Sequence, residues 1–297
     1  MVNLSGYFDK MVVALPQNSK IEVASFEDGF SNHVYRLDWD GSPQWVLRVP
    51  GLDESAFFIN RQCELQVVSM AAQARLSPEL LWHDDEGAFA CRFVPQPSCE
   101  WTVVHSTKNI ERIAKALASA HQLSPVEHQF CIYRVIEHYL QGIAGYLSVR
   151  PELAVEYAYL KKQLDSLDRL TPTQASVLCH NDANPKNFLI DDQALWLIDW
   201  EYAGMGDPLF DLAVVSRSHN LTLSQRQVLI QAYQPALEGG DTLWRLEQYG
   251  LAYALREMAW LLLKHLTSPE DPDAHGFYYE FKGTPTLNPF PIAESTI

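Results

Sequence analysis

The first hundred residues alternate short apolar runs with turn residues, and the remainder of the chain has mostly helical spacing. Residues 21–27, 34–38 and 45–49 are rich in β-branched and aromatic side chains and read as strands, with Asp40-Gly41-Ser42-Pro43 as one of the turns between them. Residues 56–74 lack Gly and Pro and place Phe58, Leu65, Val68 and Ala72 at helical spacing. Strands are predicted again over 80–83 and 89–94, joined by an acidic turn, and Pro95-Gln96-Pro97-Ser98 reads as a connector. Beyond it, 108–122, 132–149 and 152–170 are predicted helices punctuated by Ser124-Pro125 and Arg150-Pro151. Residues 177–199 interrupt the pattern with a loop and two short apolar runs. Helices resume over 207–217, 223–233 and 242–266, and the tail from Ser268 reads as irregular but packed. The expected organisation is α+β: a small β-rich lobe over 1–94 and a larger helical lobe over 95–297.

Composition narrows the partners. The chain has 297 residues, 47% of them hydrophobic, enough to bury a large core. Lys and Arg total 22 against 37 Asp and Glu, a formal net charge of −15. Such a surface disfavours nucleic acid and anionic membranes, and suits cationic small partners or simple solubility. Cys63, Cys91, Cys99, Cys131 and Cys179 are scattered and form no C-x-x-C pair, which argues against a disulfide framework or zinc site. The opening MVNLSGYFDKMVVALPQNSK carries no basic stretch followed by an apolar one, so a soluble cytoplasmic protein is expected. The oligomeric state is left open.

The chemistry concentrates in 177–211, VLCHNDANPKNFLIDDQALWLIDWEYAGMGDPLFD. His180-Asn181-Asp182 follows one apolar run, Asn187 lies five residues beyond Asp182, and Asp199 ends another run. Phosphoryl transfer from ATP needs a carboxylate near the acceptor hydroxyl and oxygen ligands for Mg²⁺. Asp182 suits the first role, Asn187 with Asp199 the second, and a strand–turn–strand hairpin would gather all three. The plainer alternative makes them ordinary turn and strand-end residues. Upstream, Arg48 is a single basic residue within an apolar strand, so it must be paired or meet a ligand. Glu64 on the following helix is its expected partner.

H-x-D-x-x-x-x-N followed by Ile198-Asp199-Trp200-Glu201-Tyr202-Ala203-Gly204 resembles the catalytic loop and metal motif of the aminoglycoside phosphotransferase and choline kinase superfamily. Its members share the protein-kinase-like two-lobed fold, and the wording looks most like bacterial choline and thiamine kinases. The resemblance implies Asp182 as catalytic base, Asn187 and Asp199 as Mg²⁺ ligands, and His180 and Asp211 as structural supports. It also implies that Gly29, Phe30, Ser31 and Asn32 belong to a phosphate-covering loop, although a plain hairpin turn fits there too. Arg48 takes the place of the family's strand lysine. Backbone groups of Arg92 and Val94 would bond the adenine edge.

The acceptor is the least determined element. Tyr249, Tyr253 and Trp260 share a helical face with Arg256, and Trp200, Tyr202, Trp244, Tyr278 and Tyr279 add aromatic surface. With Glu201 or Glu257 they would cage choline or the thiazolium of thiamine; an aromatic stripe is equally the mark of a core. An aminoglycoside or methylthioribose-like sugar kinase is the alternative on the same scaffold. A protein kinase is disfavoured because Trp200-Glu201 follows Asp199 where Phe-Gly is expected. A pseudokinase that only binds nucleotide is disfavoured by the intact Asp182, Asn187 and Asp199.

Overall fold

A computed structural model describes residues 3–17, 19–26, 30–268 and 273–292. Helix α1 (Leu4–Met11), capped by the Asn3 side chain, leads into an antiparallel sheet of five strands. These are β1 (Glu22–Ser25), β2 (Asn32–Trp39), β3 (Ser42–Pro50), β4 (Leu80–His83) and β5 (Phe89–Arg92), in the order β1-β2-β3-β5-β4. Trp39 pairs with Ser42, so Asp40 and Gly41 alone form the β2–β3 turn. Both take positive φ, +54° and +76°, the geometry that makes Asp-Gly a favoured hairpin pair. Between β3 and β4 run α2 (Glu54–Phe57) and α3 (Arg61–Gln73). The single helix expected over 56–74 is broken because Phe58 closes α2 at φ +61° and Asn60 then caps α3 through the Cys63 amide.

The period-two pattern of β3 decides what the sheet does. Trp45, Leu47 and Val49 share one face and join Met11, Leu15, Leu37 and Ala90 in a small separate core beneath α1. Arg48 is therefore on the other face, where Phe89 of β5 and Val67, Val68 and Ala71 of α3 belong to the main core. The sheet thus turns Arg48, a buried cation, toward the helical lobe.

That lobe consists of α4 (Thr107–Ala120), α5 (Ile132–Gly145), α6 (Ala154–Ser166), α7 (Pro208–Ser218), α8 (Leu223–Tyr233), α9 (Thr242–Thr267) and α10 (Asp273–Gly283). Two short ribbons are set among them: β6 (Val177–Cys179) with β9 (Gly204–Gly206), and β7 (Phe188–Ile190) with β8 (Leu195–Leu197). α9 runs for 26 residues and packs against α5, α7 and α10. Three elements escape the sequence reading. α1 carries no strong pattern, β9 is the three-residue Gly-Met-Gly, and the tail expected to be irregular is helical over α10. There Tyr278 is fully buried and bonds Glu156, so the segment gains an apolar anchor that its composition conceals. Among the described residues no helix is long and apolar enough to cross a membrane.

The small core beneath α1 has few members to share the loss of one. Leu47→Ala, at a fully buried position, should destabilise the protein by about 2–5 kcal/mol, measured by chemical denaturation with tryptophan fluorescence.

Candidate active site

The two ribbons of the helical lobe deliver the motif residues. Phe188 pairs with Leu197 across β7–β8, so the residues flanking that pair, Asn187 on one strand and Ile198-Asp199 on the other, are neighbours. The Ile198 amide donates to the Asn187 carbonyl at 3.0 Å. Asp182 arrives separately, from the end of β6. Its carboxylate Oδ2 accepts from Asn187 Nδ2 at 3.1 Å and from Asn184 Nδ2 at 3.0 Å. The three residues therefore converge, although the single hairpin predicted from the sequence accounts for only two of them.

Buried hydrogen bonds fix this loop. Asp211, fully buried in the first half of α7, accepts from the amides of His180 and Asn181 at 2.8 and 2.7 Å and bonds His121 at 2.9 Å. Burial pushes the Asp211 carboxyl up, but the hydrogen bond from His121 and the other donors outweigh it and hold the group below its ordinary value. His180 donates from Nε2 to the Ile198 carbonyl at 2.9 Å and stacks on Trp200, tying the Asp182 loop to the Asp199 strand. Burial depresses the His180 pKa, so the imidazole is neutral. Asn181 and Asp199 hold φ of +64° and +63°, a region costly for residues other than glycine.

Opposite Asp199 lies a buried charge cluster. Arg48 Nη2 pairs with Glu64 at 2.9 Å, Glu201 at 2.9 Å and Asp199 at 3.3 Å. Arg61 Nη1 pairs with Glu64 at 2.7 Å and Glu201 at 3.2 Å, and Asn32 donates to Glu201 at 3.0 Å. Burial opposes the Arg48 charge, but the three carboxylates more than offset it and keep the group protonated. Desolvation first, and the Glu201 charge second, raise Asp199 to about 8. Oxygens of Glu64, Asp199 and Glu201 lie within 4.8 Å of one another. Fully ionised, three carboxylates would exceed two guanidiniums, and the raised Asp199 pKa is the response of a site where a divalent cation would take the place of the proton. Asn187 turns its amide nitrogen onto the carbonyl and carboxylate of Asp182. Arg48 Nε and Nη1 are buried without a hydrogen-bond partner among the described residues. The donor set fits Mg²⁺ and phosphate.

On the acceptor side the sequence expectations need correction. Trp200 is only 1% exposed and donates to Ser77 Oγ at 2.8 Å, so it is core. Glu201 is consumed by the charge cluster. Tyr249 donates to Asp207 at 2.9 Å and lines a cavity of about 180 Å³ with Phe130, Tyr133, Met205 and Phe210, apart from the Asp182 carboxylate. Tyr253 does lie beside Asp182, through Arg256. Trp260 donates to the Tyr202 hydroxyl at 2.8 Å and packs on Phe57 and Phe30. Of the remaining aromatics, Tyr278 is buried, whereas Trp244 and Tyr279 are 44% and 46% exposed.

Among the nucleotide-side residues, Gly29 lies outside the described residues. Phe30 is held by α9: its carbonyl accepts from Lys264 Nζ, and its ring lies under that ammonium. Ser31 is half-buried and its carbonyl packs against Gly51, where a Cβ would come within 2.7 Å of it. Asn32 turns into the charge cluster. The Arg92 amide is already bonded to the Glu79 carbonyl at 2.9 Å within the sheet, so that N–H cannot serve an adenine; Val94 follows β5 in the connector. Two participants are absent from the sequence expectation. Arg61 is signalled only by its spacing of three from Glu64. Arg256, noted for sharing a face with aromatics, donates to Asp182 Oδ1 at 2.6 Å.

A family model described as a phosphotransferase enzyme family matches residues 22–244. The chain is 44% identical over 55 residues to protein LicA of Haemophilus influenzae, covering 18% of this chain and 21% of LicA. It is 28% identical over 126 residues to a LicA homolog of Mycoplasma capricolum, covering 42% and 50%. The chain thus spans half or less of the length of these curated relatives. The crystal structure of choline kinase LicA from Streptococcus pneumoniae superposes with a TM-score of 0.67 at 20% identity, covering 96% of this chain and 99% of that one. The fold is accordingly the protein-kinase-like one.

Because Asp211 satisfies two catalytic-loop amides, Asp211→Ala should cost about 3–5 kcal/mol in denaturant titrations at neutral pH. Its folded pKa lies below the unfolded value of about 3.9. The stabilisation is thus present above that value and is lost as pH falls through the lower folded one. Acid titration should show wild-type stability declining more steeply below about pH 4 than that of Asp211→Asn.

Proposed function

Because the chain belongs to the phosphotransferase enzyme family, we propose that it is an ATP-dependent kinase acting on a small cationic alcohol, choline first and thiamine second. One observation carries the reading: Asp182 and Asn187 touch at 3.1 Å while the Asn187 backbone pairs with the residue before Asp199. A base for the acceptor and two oxygen ligands thereby share one cleft.

In this mechanism the acceptor hydroxyl hydrogen-bonds the Asp182 carboxylate and attacks the γ-phosphorus in line, the bond from that phosphorus to the β–γ bridging oxygen breaks so that ADP leaves, and Asp182 takes the hydroxyl proton. Asn187 and Asp199 would hold Mg²⁺, which when bound neutralises charge on the phosphates. Arg48, kept protonated by its three carboxylate partners, would add positive charge beside the same phosphates. Transfer then depends on positioning and electrostatics, with no covalent enzyme intermediate.

Choline is preferred because the LicA relatives align and one structural neighbour is a choline kinase. A second reading, an aminoglycoside or sugar kinase, is favoured by the guanidinium of Arg256. It lies 5.1 and 5.2 Å from the ring centres of Tyr202 and Tyr253, where a quaternary ammonium would otherwise go.

Transfer of label from γ-³²P-ATP should appear with choline or thiamine in a panel that also holds ethanolamine, kanamycin and methylthioribose. Kanamycin or methylthioribose turnover without choline or thiamine turnover would select the second reading. Asp182→Ala should lower kcat roughly 10²–10⁴-fold while ATP still binds; wild-type rates in that variant would remove Asp182 from the mechanism.

A further inference from the structure

Arg256 is 3% exposed, in the second half of α9. Its guanidinium is spent almost entirely on the catalytic loop and one neighbour. Nη1 donates to the carbonyl of Asn181 at 2.9 Å and Nη2 to Asp182 Oδ1 at 2.6 Å. Nε and Nη2 both donate to Glu257 Oε1, at 2.9 and 2.6 Å. Rings of Tyr202 and Tyr253 lie against the ion at 5.1 and 5.2 Å. Four of the five N–H donors of an arginine are accounted for.

This arrangement is more specific than charge neutralisation requires. The grip on the Asn181 carbonyl and the Asp182 side chain spans the residue held at φ +64°, so one planar fork fixes both the strained backbone and the carboxylate that follows it. Asn184 and Asn187 hold the other oxygen, Oδ2. With donors on both oxygens the carboxylate cannot rotate, and its remaining lone pairs point in a fixed direction. Glu257 and the two tyrosines in turn hold the guanidinium.

We propose that Arg256 is a positioning residue for phosphoryl transfer: acting through Asp182 Oδ1, it aims the carboxylate at the acceptor hydroxyl. The proposal rests on the kinase reading. Lysine cannot replace it, since an ammonium has no planar fork with which to hold two acceptors in fixed directions.

The test is steady-state and single-turnover kinetics of the full chain with whichever alcohol the wild type phosphorylates best, alongside ATP affinity by calorimetry. Arg256→Lys preserves the charge, and should lower kcat by roughly 10²-fold with ATP affinity within about twofold of wild type. In an Asp182→Asn background the same change should have no further effect on the rate, because the group it aims is already disabled. Wild-type kcat in Arg256→Lys overturns the proposal. So does an added loss in the Asp182→Asn background, or ATP affinity that falls together with kcat, because either result marks Arg256 as structural filler. A wild type that phosphorylates no alcohol overturns the kinase reading, and this proposal with it. Turnover by wild type with an unaffected Arg256→Lys overturns this proposal alone.

Discussion

Arg48 and Arg61 share a largely buried site with Glu64, Glu201 and Asp199, and fully ionised the charges would not balance. Removing ions from water costs several kcal/mol each even after relaxation, which pairing recovers only with good geometry. Here the pairing joins the parts of the molecule: Arg48 comes from the sheet, Glu64 and Arg61 from α3, and Glu201 and Asp199 from the segment after β8. The strain of a third carboxylate falls on Asp199, whose pKa rises to about 8 through burial and the charge of Glu201, so that a proton is held there in place of a cation. The interlobe joint is thus a place where one divalent cation would take over from a proton, beside an arginine whose Nε and Nη1 have no partner among the described residues.

The acceptor side is organised differently. Its rigidity comes from hydrogen bonds into backbone: Asp211 to two consecutive amides, His180 to the Ile198 carbonyl, Arg256 to the Asn181 carbonyl. Two residues in the left-handed region, at a cost of about 1–3 kcal/mol each, persist because these bonds over-determine them. Such a loop has little freedom to lose when an acceptor arrives, which is the condition under which positioning and fixed dipoles contribute most to rate.

The sequence revealed what depends on local pattern and concealed what depends on long-range pairing. Strands β2 and β3, the Asp-Gly turn, α4, α7, α8 and α9 follow from periodicity and turn chemistry, and the spacing from Asp182 to Asn187 to Asp199 anticipated that these three residues come together. Arg48 and Glu64 were legible because an ion within an apolar run has to be paired. Glu201 was expected to add negative charge beside a cationic acceptor. In fact the left-handed turn at Asp199 directs it back to Arg48 and Arg61. Trp200 was misread for the complementary reason: its buried partner, Ser77, is 123 positions away. The Gly-Met-Gly strand and α10 owe their structure to tertiary contacts and carry no local signal strong enough to read.

The aromatic stripe on α9 shows how one pattern can serve two purposes. Tyr253 and Trp260 lie along the helix with Arg256 and Lys264 among them. Each cation meets an aromatic face: Arg256 at Tyr253 and Tyr202, Lys264 at Phe30 and Trp260. The quadrupole of an aromatic ring attracts any cation, whether a ligand or a side chain of the same chain. Rings that read in sequence as a cage for a substrate ammonium are here largely met by the helix's own charges. An acceptor carrying a positive charge must then find its counter-ion in the carboxylate that Arg256 leaves incompletely neutralised, since one guanidinium stands between Asp182 and Glu257. Charge balance around a single arginine, more than the count of aromatic residues, thus sets the electrostatics beside Asp182.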